Sequence, residues 1–367
     1  ETTGDHRFVF EQTDGVKPID LAMEDMFGKA PRTIMTDKTV EETYEDVTYD
    51  QTQLDEYVER VLQLEAVACK DWLTNKVDRS VTGKIARQQC QGEIQLPLSD
   101  CGVVALDYRG RAGIATSIGH APQAALVDPA AGSVLSIAEA LTNIVWAPLS
   151  EGLDSVSLSA NWMWPCKNEG EDARLYRAVE ACSDFACSLG INIPTGKDSL
   201  SMTQKYGKDK VYSPGTVIIS AGAEVSDIRK VVSPVLRTGV NSTIYYIDFS
   251  FDKLKLGGSA FAQSLDKIGK EVPTVQDSEY FANAFNAVQE LVNKEFILAG
   301  HDISAGGMIT TMLEMNFANT EGGLEVSLDE IPEKDLVKIL FSENPGILIQ
   351  VEKTDEVEKI LKKAGVA

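Results

Sequence analysis

Gly300-His301-Asp302-Ile303-Ser304-Ala305-Gly306-Gly307 sets one carboxylate, one hydroxyl and paired glycines directly behind the apolar run Phe296-Ile297-Leu298-Ala299. The run predicts a buried strand that stops at a glycine, and Met308 to Met315 predicts a helix. A strand-to-helix turn of this composition does three things. It turns backbone N–H groups outward at a helix N-terminus, where anions bind. Glycine lets a phosphate approach closely, because it has no Cβ. Asp302 supplies a hard oxygen of the kind Mg²⁺ takes. The combination points to a magnesium–nucleotide site. The same residues also suit an ordinary capped turn, with Asp302 or Ser304 as N-cap.

Other constellations carry related chemistry. Asp100, in Pro97-Leu98-Ser99-Asp100-Cys101, stands just before the apolar run 103–106. An acid at a strand entry can point into a cleft as a metal ligand, or it can close a turn. Glu139 and Asn143 are four residues apart and share one helix face. Val134, Leu135, Ile137, Leu141, Ile144 and Val145 surround them. Oxygen-bearing side chains on so apolar a helix need a partner, and a divalent cation is one; an exposed polar stripe is the other reading. Ile193-Pro194-Thr195-Gly196-Lys197-Asp198-Ser199 has the composition of a phosphate loop without the spacing of a Walker A motif. Val77-Asp78-Arg79-Ser80-Val81-Thr82-Gly83-Lys84 is polar and glycine-punctuated, with Lys70 and Lys76 just upstream. In Asn161-Trp162-Met163-Trp164 the tryptophans either stack on a base or, more commonly, fill a core or interface.

The elements that must position these residues alternate between strand and helix. Residues 7–10 predict a strand, 19–26 a short helix, and 36–53 a solvated acidic connector. Apolar spacing from Leu54 to Cys69 predicts a helix. Val103–Leu106 and Val217–Ala221 predict strands; Ser133–Trp146 and Ala173–Leu189 predict helices. The pattern restarts near Ser233-Pro234, with a strand at Thr243–Asp248 and a glycine-led helix start at Gly257–Ala262. A helix follows over Phe281–Lys294, a strand over Gly346–Val351, and a lysine-rich helix closes the chain. This alternation predicts α/β or α+β domains with mixed sheets. The expected boundaries are 1–53 (tail and linker), 54–233 and 234–367.

With 43% hydrophobic residues in 367, the chain can bury a sizeable core, enough for two or three domains. The formal charge of −22 excludes nucleic acid and anionic membranes as partners. Any anionic ligand then needs Mg²⁺, backbone N–H groups or a few placed lysines. Cys69, Cys90, Cys101, Cys166, Cys182 and Cys187 form no C-x-x-C pair, so reduced thiols and a cytoplasmic location are expected. Only three histidines are present, which argues against a histidine-rich zinc site. No apolar run reaches about 18 residues, so no membrane span is expected. The chain opens on Glu1 without a signal peptide, and is read as a piece of something longer.

Taken in order, V-D-R-S-V-T-G-K, P-L-S-D-C, A-E-A-L-T-N, N-W-M-W, G-K-D-S-L-S-M, G-G-S-A and G-H-D-I-S-A-G-G resemble the long, single-chain phosphoribosylformylglycinamidine synthases, also called formylglycinamide ribonucleotide amidotransferases. The resemblance covers the chain from about residue 7 to its end. It implies a two-domain half of the aminoimidazole ribonucleotide synthetase type, the second of two such halves, preceded by the tail of the first. A first half and a glutaminase domain would be the missing partners. It implies ATP-driven amidation of formylglycinamide ribonucleotide with ammonia from glutamine. By motif, Asp100, Glu139, Asn143 and Asp302 correspond to magnesium ligands, Ser99 and Ser304 to nucleotide contacts, and Lys70 to a lysine near the nucleotide phosphates. It also implies that this half's ATP or ADP can be structural rather than catalytic, and that a lone half can self-pair into a homodimer. Two other readings stay open. One is another ATP-dependent enzyme of the same superfold, such as a small-molecule kinase or selenophosphate synthetase. The other is a nucleotide-stabilised scaffold without catalysis.

Overall fold

The computed structural model describes residues 2–28, 34–74, 76, 79 and 83–366. The Val77–Lys84 block lies mostly outside them. The chain divides into Glu1–Thr36 and Asp37–Ala367.

In the first unit, strands Arg7–Phe10 and Ile19–Ala22 pair antiparallel, with Arg7 opposite Ala22 and Phe10 opposite Ile19. Only Met23–Phe27 is helical. The helix expected over 19–26 is therefore half strand. Cross-strand pairing, reinforced by Arg7 gripping Asp20 at 2.5 Å, overrides the local helical spacing.

Among its described residues the second unit contains two main sheets, besides the two-stranded pairs Cys90–Gln91 with Leu96–Pro97 and Thr203–Tyr206 with Asp209–Tyr212. The larger has six strands, in the order Ile85–Arg87, Gly102–Ala105, Gly113–Gly119, Thr216–Val225, Ser157–Met163, Asn192–Ser199. All neighbours are antiparallel except the last pair. That parallel pair is joined through helix Glu171–Ser188, as parallel strands require. The smaller sheet sets Gly346–Val351 between Thr243–Asp248 and Ile297–Asp302, all antiparallel to it. This is a mixed α/β architecture.

Helix Pro129–Ile144 lies against one face of the larger sheet. Asp128 caps it, accepting from the amides of Ala130 and Ala131, and Pro129 takes its first turn. Along Gly113–Gly119 every second residue is buried beneath this helix. Ser117 Oγ donates to the Ala140 carbonyl at 2.6 Å. Gly119 must be glycine, because a Cβ there would stand 2.2 Å from the Ser136 carbonyl oxygen. The opposite face of the sheet exposes Val104, Leu106, Ile114 and Ile118.

One core runs under both sheets. Val103, Ile219 and Leu158 of the first share it with Ile347, Ile349 and Val351 of the second. Phe281 of helix Ser278–Asn293 stands edge-on to Phe185 and Phe249 within it. Gln289 of that helix is buried and laces it to the 145–149 segment. Its side chain accepts from the Leu149 amide at 2.9 Å and donates to the carbonyls of Val145 and Ala147 at 2.6 and 2.9 Å.

Two further expectations change. The 36–53 segment is no free connector: Tyr49 donates to Asp335 at 2.6 Å, Val47 and Tyr49 pack beside Tyr57 and Phe261, and Asp37 accepts from the amides of Gly170, Asp172 and Ala173. A distant carboxylate thus caps helix Glu171–Ser188, whose own N-cap is a glycine. The helix from Leu54 ends at Leu62 rather than Cys69, and Leu64 and Val67 reach the same cluster from turns. No helix among the described residues is long and apolar enough to cross a membrane.

Candidate nucleotide and metal site

Strand Ile297–Asp302 carries two site residues on consecutive positions. Gly300 lets it pass over Trp146, since a Cβ there would sit 2.2 Å from the indole. His301 and Asp302 follow, both buried. Asp100 enters from the turn before Gly102–Ala105, its side chain 3% exposed. The His301 Nδ1 lies 2.7 Å from Asp100 Oδ1 and 3.5 Å from Asp302 Oδ1, and its Nε2 lies 3.1 Å from Glu314 Oε2. Asp100, His301 and Asp302 offer ligand atoms all within 4.8 Å of one another. Asp100 Oδ2 and Asp302 Oδ2 are buried with no hydrogen-bond partner.

Glu139 and Asn143 hold the end of strand Gly113–Gly119, and Asn143 is not brought to the acid cluster or the cavity. Glu139 Oε2 accepts from the His120 amide at 2.5 Å, and Asn143 Nδ2 donates to the Ile118 carbonyl at 3.0 Å. Glu139 also faces a cavity of about 330 Å³, walled by Lys70, His120, Gly258, Ser304 and Glu343 as well. Ser99 lies outside that wall, its hydroxyl buried and unpartnered beside Asp100. Lys70 donates to the Ala68 carbonyl at 2.9 Å and borders a second, largely apolar cavity of about 580 Å³. Leu62, Val67, Leu98 and Phe317 line that one, with Glu314 at its edge.

Glu343 has no counterpart in the motif reading. One of its oxygens accepts from both the Gly306 and Ala260 amides, each at 2.8 Å. A single carboxylate therefore occupies the N-terminal ends of helices Ala260–Ser264 and Gly307–Phe317. Gly306 is the N-cap of the second helix, so neither Asp302 nor Ser304 caps it. Gly306 and Gly307 have φ of +96° and +74°. The signal for Glu343 was an acid just after a short helix, the end where the dipole disfavours it, between apolar runs.

Burial drives the acid chemistry. It pushes the Glu139 carboxyl from the ordinary 4.5 up to about 7, with Glu343 adding repulsion and the His120 amide opposing. Burial pushes Glu343 to about 7 too, against its two amides. Burial, then the neighbouring Asp100, holds Asp302 well above the carboxylate range, and burial raises Asp100 despite His301. For His301, burial opposes the charged ring, but Asp100 and Glu314 outweigh it and raise it well above the ordinary range. No lysine or arginine forms an ion pair with Asp100, Glu139, Asp302 or Glu343 among the described residues. A divalent cation is the group that would let such acids stay ionised, and the orphaned oxygens of Asp100 and Asp302 fit it.

Two sequence candidates fall elsewhere. Gly196-Lys197 sits inside strand Asn192–Ser199, where Lys197 bonds Ser199 and the missing Cβ admits the Ala160 carbonyl. It is a sheet-packing glycine rather than a phosphate loop. Trp164 is buried with Cys166 and Ala178, so it fills a core.

The FGAR-AT PurM_N-like domain family matches residues 69–224, and the C-terminal domain family of AIR synthase related proteins matches 242–367. A probable phosphoribosylformylglycinamidine synthase of Caenorhabditis elegans is 42% identical over 84% of this chain, and the human phosphoribosylformylglycinamidine synthase is 39% identical over 94%. The chain belongs to the phosphoribosylformylglycinamidine synthase family. It spans 24% and 26% of those two family members' lengths. In fold it is similar to T. maritima PurL complexed with FGAR, at a TM-score of 0.61 and 15% identity over 85% of this chain and 48% of that one. T. maritima PurL complexed with ATP gives 0.56 at 14% identity, covering 86% and 46%. The family's AIR synthase-like architecture thus holds for the chain.

Proposed function

We propose that this chain is one synthetase-like half of a phosphoribosylformylglycinamidine synthase, an ATP-dependent C–N ligase of purine biosynthesis, and that it binds a magnesium nucleotide. The observation that carries this is a group of carboxylates with no lysine or arginine partner among the described residues: Glu139 and Glu343 wall the 330 Å³ cavity, and Asp302, next to Ile303 of that wall, clusters with Asp100 and leaves an oxygen orphaned. Asp100, Asp302 and Glu139 are the metal ligands, with Asn143 steadying the strand end that Glu139 grips. A bound Mg²⁺ would neutralise phosphate charge and orient the phosphates. Lys70 and Ser304 wall the same cavity and contact the nucleotide; Ser99, beside Asp100 with its hydroxyl free to bond, is a further nucleotide contact. The apolar cavity beyond Lys70 suits a base. In this reading the residues position rather than form covalent bonds, and formylglycinamide ribonucleotide and the glutamine-derived ammonia belong to the complete enzyme.

The two sheets support domains at 54–233 and 234–367, with 1–53 as the tail and linker of a preceding half. The apolar sheet face of Val104, Leu106, Ile114 and Ile118 suits pairing, with that preceding half or with a second copy. Six unpaired cysteines suit a reducing cytoplasm.

The deciding experiment is titration of the chain with Mg·ADP, alongside Asp302→Asn. Affinity in the variant should drop at least about tenfold, which is about 1.4 kcal/mol, while its melt stays cooperative. Equal affinity in the two proteins removes Asp302 from the site. Mass spectrometry of small molecules released from the purified chain then reports whether a nucleotide is retained. Amidation restored by adding the remaining portions and ammonia separates the ligase reading from a scaffold role.

A further inference from the structure

A second cleft, of about 830 Å³, opens where strand Ile85–Arg87 meets the 229–237 crossover and the start of strand Ile297–Asp302. Its wall carries Arg87, Arg229, Lys230 and Arg237 against two acids, Glu93 and Glu295. So many cations in one cleft run against a chain of net charge −22. Their partners account for only part of that charge. Arg229 is held by Asp227 through bonds of 2.9 and 2.6 Å. Lys230 donates to the Asn293 carbonyl at 2.8 Å and lies 3.5 Å from Glu295. Glu93 accepts from Thr320.

Arg87 and Arg237 have no carboxylate partner among the described residues. Arg87 is half-buried. Its two terminal nitrogens donate to neutral acceptors, Gln91 Oε1 and the Val231 carbonyl, both at 2.6 Å. Its Nε is buried with no partner at all. Burial depresses its pKa, as it must for a cation left without a counter-charge. Holding an unpaired cation in this way costs stability unless an anion arrives. Arg237 is anchored through its backbone, which exchanges bonds with the Gln350 side chain, and its guanidinium stands exposed at the rim.

We propose that this cleft is a binding site for a small phosphate dianion, either free phosphate or a phosphate monoester. Arginine's planar fork matches phosphate oxygens, and the cleft's size suits a small metabolite. Arg87, in the cleft wall, offers the second N–H of its terminal nitrogens, Arg237 closes over the ligand from the rim, and Lys230 shifts from Glu295 toward it. The site is separate from the magnesium–nucleotide cavity and uses none of its residues.

The test is calorimetric titration of the chain, at constant ionic strength, with inorganic phosphate and with glycerol 3-phosphate. Saturable binding is expected, weakened about tenfold in Arg237→Gln and at least as much in Arg87→Gln. Tighter binding of glycerol 3-phosphate assigns a monoester, and equal binding assigns free phosphate. If Arg87→Gln fails to fold, Arg237→Gln decides, because its side chain bridges nothing. Asp302→Asn should leave phosphate affinity unchanged even while it weakens Mg·ADP binding about tenfold or more. Absence of saturation, an unaltered Arg237→Gln, or loss of phosphate binding in Asp302→Asn would each overturn the proposal.

Discussion

Glu139→Gln should make the magnesium-free protein more stable at alkaline pH, although it removes a candidate ligand. The Glu139 carboxyl is lifted from the ordinary 4.5 to about 7. Between those values the folded chain holds a proton that the unfolded chain has released, so stability present below about 4.5 is lost as pH rises through about 7. At about 1.4 kcal/mol per pH unit, the full effect is on the order of 3 kcal/mol. For a folded unit of this length that is about 5 °C in Tm. Glutamine keeps an oxygen for the His120 amide and carries no charge to bury. Without magnesium the two proteins should melt together at pH 5, and the variant about 5 °C higher at pH 8. Millimolar Mg²⁺ should raise the parent's Tm far more at pH 8 than at pH 5, and should do much less for the variant. The assay is a set of thermal melts across pH 5 to 8.5, with and without Mg²⁺. A variant that melts below the parent at pH 8 without magnesium, or a magnesium effect that ignores pH, would refute the reasoning.

Three further outcomes are expected. Gly307→Ala should lower the unfolding free energy by about 2–4 kcal/mol in a denaturant titration, because φ is +74° and the new Cβ would lie 2.7 Å from the Leu340 carbonyl oxygen and Phe341; a loss under about 1 kcal/mol would show that the turn relaxes. Gln289→Leu strands three buried backbone groups and should cost at least about 3 kcal/mol by the same measurement. Ile118→Asp, on the open sheet face, should leave Tm near that of the parent while shifting sedimentation toward monomer; an unchanged distribution in a self-associating sample would place the contact elsewhere.

Much of the fold was legible because its elements are strongly patterned. The strands expected at 103–106, 217–221, 243–248 and 346–351 are apolar, β-branched runs, and the helices expected over 133–146 and 281–294 are present but begin earlier, at 129 and 278, behind the capping aspartates Asp128 and Asp277. The failures share a cause. Residues 19–22 are strand only because residues 7–10 lie beside them, and 192–199 is strand only because Ser157–Met163 does. Short-range spacing contains no record of such partners. At the site, Asp302 and Glu139 stood out as acids embedded in apolar runs. Glu343 and Glu314 were passed over although each also borders apolar residues, since neither belongs to a recognisable motif and each gains its meaning from elements far away in the chain. Glu343 is 37 residues from Gly306 and 83 from Ala260.

The core shared by both sheets, laced by Gln289, bears on how a ligand gets in and out. Two lobes with separate cores hinge apart at little cost, and their clefts breathe. Here the lobes are one solid, so opening the cleft wide means breaking the packing that holds the fold together. The turns at 63–70, which put Lys70 in the walls of both cavities, pack outside that shared core and are the part of the site that can move without breaking it. A nucleotide seated before that segment packs down would leave slowly. Its residence time then reports the mobility of eight residues rather than the strength of its own contacts.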